Sequence, residues 1–182
     1  MNWRNSTERY GALSIGLHWL ILLLLVAAYG CMELNELFPK GSYLREAMKT
    51  WHYMLGLSAL TLVWLRLVLH FSGPAPGIEP QPPNWQHLSA KFVHGALYAF
   101  MICAPLIGWL ALSAKGKPVL LFGWQLPFLI GESRALGKLL KEMHEVAGTT
   151  GYFLIGMHAA AALYHHYLVR DNTLWRMLPS RR

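Results

Sequence analysis

Apolar residues crowd into four runs, Ala12 to Met32, Trp51 to Leu69, Phe92 to Leu112 and Val146 to Leu168, and most of the charge lies between them. Each run is near the ~20 residues that a helix needs to cross ~30 Å of hydrocarbon. The pattern predicts an all-α integral membrane four-helix bundle with helices over about 12–32, 48–71, 88–113 and 142–168, forming a single membrane domain of residues 1–182. The first run is longer than a signal-peptide core, contains His18 and ends at Met32-Glu33 without an A-x-A site, so it is expected to stay in the membrane. Three connectors join the runs: Glu33 to Thr50, Ser72 to Gln86 and Ser113 to Glu145. The second contains GPAPGIEPQPP, which cannot continue a helix and reads as an extended, exposed link. Pro105 falls inside the third run, where neighbouring helices can satisfy the backbone it frees.

Composition agrees with a lipid solvent. The chain has 182 residues, 54% hydrophobic and only 14% charged, with a mean hydropathy of +0.30. Its net charge of +7 and pI of about 9.6 could point to nucleic acid, but the basic residues are scattered over every connector instead of forming one stripe. No nucleic-acid partner is expected; anionic membrane lipid or a small anionic substrate accounts better for the balance. With the N-terminus cytoplasmic, eight basic residues fall on each side, so charge counting alone does not orient the chain, although the cluster Arg170, Arg176, Arg181 and Arg182 favours both termini inside. Cys31 and Cys103 do not begin a C-x-x-C-H sequence, so any haem is held without thioether bonds.

The chemistry lies in histidines within the runs, because hydrocarbon offers an ionisable group no water. His18 is in the first helix, His52 near the start of the second, His94 near the start of the third, and His144 and His158 in the fourth. His144 and His158 are fourteen residues apart, close to four turns, so they face nearly the same way ~21 Å apart. Because the chain reverses at each span, depth pairs His18 with His158 in an inner layer and His52 with His144 in an outer layer. Two imidazoles from different helices at one depth are what six-coordinate haem iron requires, so four ligands predict two haems b.

Several readings stay open. His94 matches the inner layer in depth and competes as a ligand or pocket residue. Arg66, near the inner end of the second helix, either pairs with a haem propionate or snorkels to the headgroups. Gly56 and Gly148, one turn beyond His52 and His144, either leave room for a porphyrin face or mark close helix packing. A zinc or transporter site is the rival chemistry, but two layers ~21 Å apart suit a relay better than one metal.

The stretches GMHAAAALYHHYLVRDNTLWRMLP (Gly156 to Pro179), IGLHWL (Ile15 to Leu20) and WHYMLG (Trp51 to Gly56) resemble the bacterial cytochrome b561 family, and the resemblance covers essentially the whole chain. It is closest to the small stand-alone members that act as superoxide:ubiquinone oxidoreductases. The resemblance implies a two-haem-b bundle in the bacterial inner membrane with both termini cytoplasmic, and haem ligands at His18, His52, His144 and His158. It also implies superoxide oxidation at the periplasmic side, a ubiquinone close to the inner haem, and His165 near that quinone.

Residue chemistry fits those implications. Oxidising superoxide by one electron needs no acid or base, only delivery of a small anion, which a positive field accelerates by roughly 10-fold or more at low salt. Lys40, Arg45 and Lys49 lead into His52, and Arg134, Lys138 and Lys141 lead into His144, with Lys49, Arg134 and Lys138 the candidate guides. Six glutamates are interleaved with them, so an ordinary solvated loop is the competing reading. His165 follows His158 by seven residues, on nearly the same face and ~10 Å nearer the surface, where it could give a proton to a quinone. A structural role at the interface competes for His165 and is preferred for His166. The alternative function is a cytochrome b subunit anchoring a hydrogenase or dehydrogenase. Short connectors leave such a partner little surface, so no obligatory protein partner is expected. A non-redox channel would have no use for paired histidines.

Overall fold

The computed structural model describes residues 3–179, so Arg181 and Arg182 of the basic tail lie outside the described residues. Four helices form: α1 (Ala12–Asn35), α2 (Tyr43–Phe71), α3 (Asn84–Ala114) and α4 (Arg134–Tyr164). Each is long and apolar enough to cross a membrane. Between α3 and α4 stands a small antiparallel hairpin, β1 (Val119–Leu121) and β2 (Trp124–Leu126). After α4 come a π-helical turn, His165–Val169, and a 3-10 turn, Trp175–Met177.

The helices extend past the apolar runs that predict them. α2 begins at Tyr43 instead of 48, α3 at Asn84 instead of 88, and α4 at Arg134 instead of 142, while α1 continues to Asn35. Hydropathy ends where charge begins, but helix does not. Ser42 and Ser133 cap α2 and α4 by accepting from Arg45 N and Leu136 N. Pairs one turn apart, Lys49 with Glu46 and Lys138 with Glu142, then support the polar first turns. At the other end α4 stops at Tyr164 instead of 168, because the backbone widens into the π-turn. The hairpin has no counterpart in the sequence reading: its strands are three residues long, and its two-residue loop, Phe122-Gly123, needs positive φ at both positions (49° and 88°).

α1 packs along α2 and α3 along α4, and the two pairs meet where α2 touches α3. The buried cluster is small and lies at that seam: Ile21, Leu57, Leu60, Val63, Met101 and Val119. Large apolar side chains such as Leu23, Val26, Trp64, Val68 and Phe153 point outward. In water they would be a liability; in a bilayer they are the contact with lipid, and helix association rests on packing and polar contacts instead. Ser58, Thr61, Thr149 and Thr150 bond back to carbonyls one turn earlier, so these four hydroxyls do not face hydrocarbon alone.

One end of the bundle gathers the N-terminal segment, the proline-rich link and the C-terminal tail; the other gathers the α1–α2 link and the hairpin. At the first end, Trp19 Nε1 donates to Met177 O (2.7 Å), Arg9 to Leu178 O (2.7 Å), and Arg176 to Pro76 O. Asn172 N donates to Glu79 O, and Glu79 N to the Asn172 side chain. The link is therefore fastened to the tail, where sequence alone reads a free connector. Replacing Trp19 with Phe removes one of these bonds without changing the ring's apolar character. It is expected to cost about 1 kcal/mol locally and to speed amide exchange in residues 171–178, with exchange in the spans unchanged.

Candidate functional site

α4 carries both of its candidate histidines toward partners on the first helix pair. The His52 and His144 rings stand 5.9 Å apart, centre to centre, with planes crossed at 85°. The His18 and His158 rings stand 6.2 Å apart, crossed at 73°. Both pairings expected from depth are therefore adjacent in space. An iron held between two imidazoles by bonds of about 2 Å, with roughly 1 Å from nitrogen to ring centre, would put the ring centres about 6 Å apart. His94 and His158 are closer, 5.2 Å at 66°, which is short for an intervening iron and ordinary for ring-to-ring packing. The structure thus brings His94 into the same layer but at a different spacing.

The His52–His144 pair is held in a definite tautomer. His52 Nδ1 is 2.9 Å from Ala28 O, and His144 Nδ1 is 2.9 Å from Ala104 O. A carbonyl can only accept, so each Nδ1 carries the proton and each Nε2 keeps its lone pair for a metal. This is the usual outer support of a ligating imidazole. His144 reaches the α3 backbone because residue 108 is glycine: a Cβ there would stand 3.0 Å from His144 Cε1 and 3.2 Å from Nδ1. Ala104 and Gly108 are one turn apart on α3, so the ring lies across the carbonyl of one and the missing side chain of the other. A Cβ at Gly148 would meet nothing within 4 Å and one at Gly56 only Pro105 Cβ at 4.0 Å, so neither glycine marks a close helix crossing.

The other pair sits among charges and aromatics. Trp19 packs edge-on to His18 at 5.3 Å. Arg66 donates to Ser14 O at 3.0 Å, bridging α2 to α1, and its charge is felt at His18, His94 and His158. Beyond His158, His165 lies at the start of the π-turn with Nδ1 2.5 Å from Asp171 Oδ2. His166 packs on Trp175 instead, 5.5 Å centre to centre.

Among the proposed anion guides, Lys49 is paired with Glu46 (2.6 Å), Lys138 with Glu142 (3.8 Å), Lys141 with Glu145, and Arg45 with Glu36 (3.0 Å). Arg134 has no ion pair among the described residues. The fold adds two lysines from the α3–β1 link. Lys115 packs against Gly137 in the first turn of α4. Burial, then the like charges of Lys141 and Lys117, lower its ammonium from the ordinary range against the opposing pull of Glu145. This face carries eight basic and six acidic residues, counted from Glu33 to Lys49 and from Lys115 to Glu145, a surplus of two positive charges.

A membrane bundle that faces imidazoles across two layers is built to carry electrons through a bilayer, the class of the membrane cytochromes. Comparison makes the class specific. Residues 9–180 match the model of the prokaryotic cytochrome b561 family. The chain is 37% identical over 175 residues to cytochrome b561 homolog 1 of Escherichia coli (strain K12), covering 96% of this chain and 99% of that one. It is also 37% identical over 175 residues to the probable superoxide oxidase CybB of Yersinia pestis, covering 96% and 98%, and 29% identical over 181 residues to cytochrome b561 homolog 2 of Escherichia coli (strain K12), covering 98% and 95%. The chain belongs to the prokaryotic cytochrome b561 family: it is an integral membrane electron-transfer protein of a family whose cofactor is haem b.

Ala28, Ala104, Gly108 and Asp171 escaped sequence reasoning. The first two act through backbone atoms that every residue has, and Gly108 has no side chain to signal a role. Asp171 sits in a motif quoted above, yet its partner becomes visible only once the tail folds back. Gly108→Val is expected to push the His144 ring off Ala104 O at a cost of ~1–3 kcal/mol and to lower bound haem. Gly30→Ala, whose added methyl would meet nothing within 4 Å, should leave it unchanged; haem absorbance per polypeptide decides.

Proposed function

We propose that this chain binds two haems b, one between His52 and His144 and one between His18 and His158, oxidises superoxide to oxygen at the face bearing the hairpin, and passes the electrons to ubiquinone at the face bearing the termini. The observation that carries this reading is the pair of facing imidazoles at 5.9 and 6.2 Å on two depths of one helix. The donor set fits haem: a facing pair of imidazoles at each depth, His52 and His144 with Nδ1 tied to carbonyls, and glycines on the adjoining turns where even a Cβ would meet almost nothing. In this reading residues 1–182 are one domain of the bacterial inner membrane with both termini cytoplasmic.

Haem held there would supply one-electron transfer, accepting from superoxide on one side and delivering to ubiquinone on the other. The remaining work belongs to the protein. Ala28 O and Ala104 O hold the ligands, and apolar helices exclude water. Lys115, Lys117 and Arg134 supply a field that attracts an anion and repels none of the neutral oxygen that leaves. Lys49 and Lys138 contribute less, because Glu46 and Glu142 offset them. Arg66, bonded to Ser14 O, keeps a positive charge beside the second pair, where a propionate or a quinone oxygen would accept from it. His165 stands beyond that pair as proton donor to ubiquinone, which takes up two protons with two electrons. The name carried by the Yersinia pestis relative and the positive surplus on the hairpin face support superoxide as the donor.

The deciding experiment is to purify the chain alone, count haem per polypeptide and follow haem reduction on mixing with superoxide. Two haems and rapid reduction are expected; one haem sinks the pairing, and reduction only with an added dehydrogenase or hydrogenase makes the chain an anchoring electron-transfer subunit instead. His52→Ala and His144→Ala should each remove one haem and spare the other. With ring planes crossed at 85° and 73°, both ferric centres should give strongly anisotropic low-spin EPR signals, whereas the rhombic signals of parallel imidazoles would contradict the ligand geometry.

Charge reversal tests the field. Lys115→Glu, Lys117→Glu or Arg134→Glu is expected to slow haem reduction by superoxide several-fold at low salt and to flatten its dependence on ionic strength. Lys49→Glu and Lys138→Glu should act in the same direction and more weakly. Stopped-flow rates that are equal in all five variants and wild type would leave these charges as ordinary loop residues.

A further inference from the structure

Asp171 is charged, yet its residue is only 4% exposed and its side chain not at all. Its carboxylate accepts from His165 Nδ1 at 2.5 Å and from Thr173 N at 2.8 Å. Burial alone would raise the carboxyl; the Thr173 and His165 donors outweigh it and hold Asp171 below the usual carboxylate range. The backbone is shaped around this contact. After the π-turn, Arg170 adopts φ 60°, a left-handed conformation that costs a non-glycine residue roughly 1 kcal/mol, and Asp171 N returns to bond His165 O at 3.2 Å. This left-handed residue is a common way for a helix to end, and here it turns the chain so that Asp171 comes back over His165. A tail that merely ended the helix would need no carboxylate on the histidine.

We propose that Asp171 is the positioning residue of the quinone-reducing site: it binds His165 Nδ1–H, points Nε2 at the quinone oxygen, and keeps the ring able to carry a proton there. The inference rests on the reading that His165 serves ubiquinone. Two superoxide ions give two oxygen molecules and two electrons, and ubiquinone with two electrons and two protons gives ubiquinol. Each proton leaves His165 Nε2 for a quinone oxygen, as the ring passes from imidazolium to the Nδ1–H neutral form. Water at the tail face, which the 17% exposed side chain still reaches, returns a proton to Nε2 before the second transfer. Asp171 stays ionised throughout, as the orienting acid does in other histidine–carboxylate pairs.

The remaining ionisable groups around the pair are Tyr164, edge-on to His165 at 5.8 Å, His166 against Trp175, and Arg170 in the same turn. From the tail, Arg176 is close enough to feel the Asp171 charge and lies over the Tyr10 ring of the N-terminal segment at 5.8 Å. Glu79, whose backbone bonds Asn172, and Glu8, which lines one pocket with Arg9, Asn172 and Arg176, are carboxylates of the same tail face, but Asp171 is the one bonded to His165, so its loss removes the ring's bonded counter-charge.

The test uses the full haem-loaded chain with Asp171→Asn, Asp171→Glu and His165→Gln, and a short-chain ubiquinone as oxidant. Asp171→Asn is expected to leave superoxide-driven haem reduction intact and to slow reoxidation by quinone roughly 10-fold. It should also bring the alkaline fall of that rate to lower pH, because the imidazolium has lost its counter-charge. The ¹⁵N-histidine spectrum, with the His165 signals assigned from His165→Gln, should lose its hydrogen-bonded Nδ1–H signature, and Asp171→Glu should restore part of both. If His165→Gln slows reoxidation and Asp171→Asn does not, the inference fails while the quinone reading stands. Failure of His165→Gln to slow it removes that reading and the inference with it. Loss of haem or thermal stability in Asp171→Asn, with the pH profile and the ¹⁵N signature unmoved, makes Asp171 a structural cap and overturns the proposal.

Discussion

Hydrocarbon offers an imidazole neither donor nor acceptor, so each histidine placed within a span has to be held by the protein. In this bundle the holding is done largely by backbone carbonyls. Ala28 O and Ala104 O are already part of their own helices, and each takes a second donor, the Nδ1–H of a ring from another helix. That arrangement sets the tautomer, aims Nε2 into the space between the helix pairs, and ties α2 to α1 and α4 to α3. The placing of these rings and the helix pairing are consequently one constraint. A displaced ring would leave a buried donor unpaired, and a displaced helix would misdirect a ring.

The two ends of the bundle use different physics. Near the hairpin, charge dominates: four of the eight lysines and arginines pair with glutamates, and the face keeps a small positive surplus. Near the termini, shape dominates. The tail returns over the end of α4, fastens to the proline-rich link through Asn172 and Arg176, and meets α1 through Trp19. That return places Asp171 against His165. The proposed quinone reduction, which takes up protons at one face, would suit a closed, hydrogen-bonded environment there and an open, charged one opposite.

Small residues matter here in a way peculiar to membranes. Gly108 admits a ring to a helix backbone, and Gly137 lets the first turn of α4 approach Lys115 and Ala114. A Cβ at Gly56 or Gly148, by contrast, would meet almost nothing. Glycine in a membrane helix thus has two distinct uses, letting a neighbour in close and keeping a face clear, and composition does not tell them apart.

Four spans, their alternating direction and the pairing of histidines by depth were legible in the sequence, because hydropathy and a rise per residue fix depth in a bilayer without knowledge of lateral packing. The family was legible too, in the stretches around His18, His52 and His158. Helix ends were less so: polar turns capped by Ser42 and Ser133 carry no hydropathy signal, and a hairpin of three-residue strands carries almost no pattern. The acceptors for His52 and His144, the contrast between Gly108 and Gly148, the spacing that sets His94 apart from His18, and the partnership of His165 with Asp171 were decided by tertiary structure alone. Each depends on which helix lies beside which and at what rotation, or on a tail folding back across the helix end. Depth along one axis is written into a membrane sequence; the two lateral coordinates come from packing.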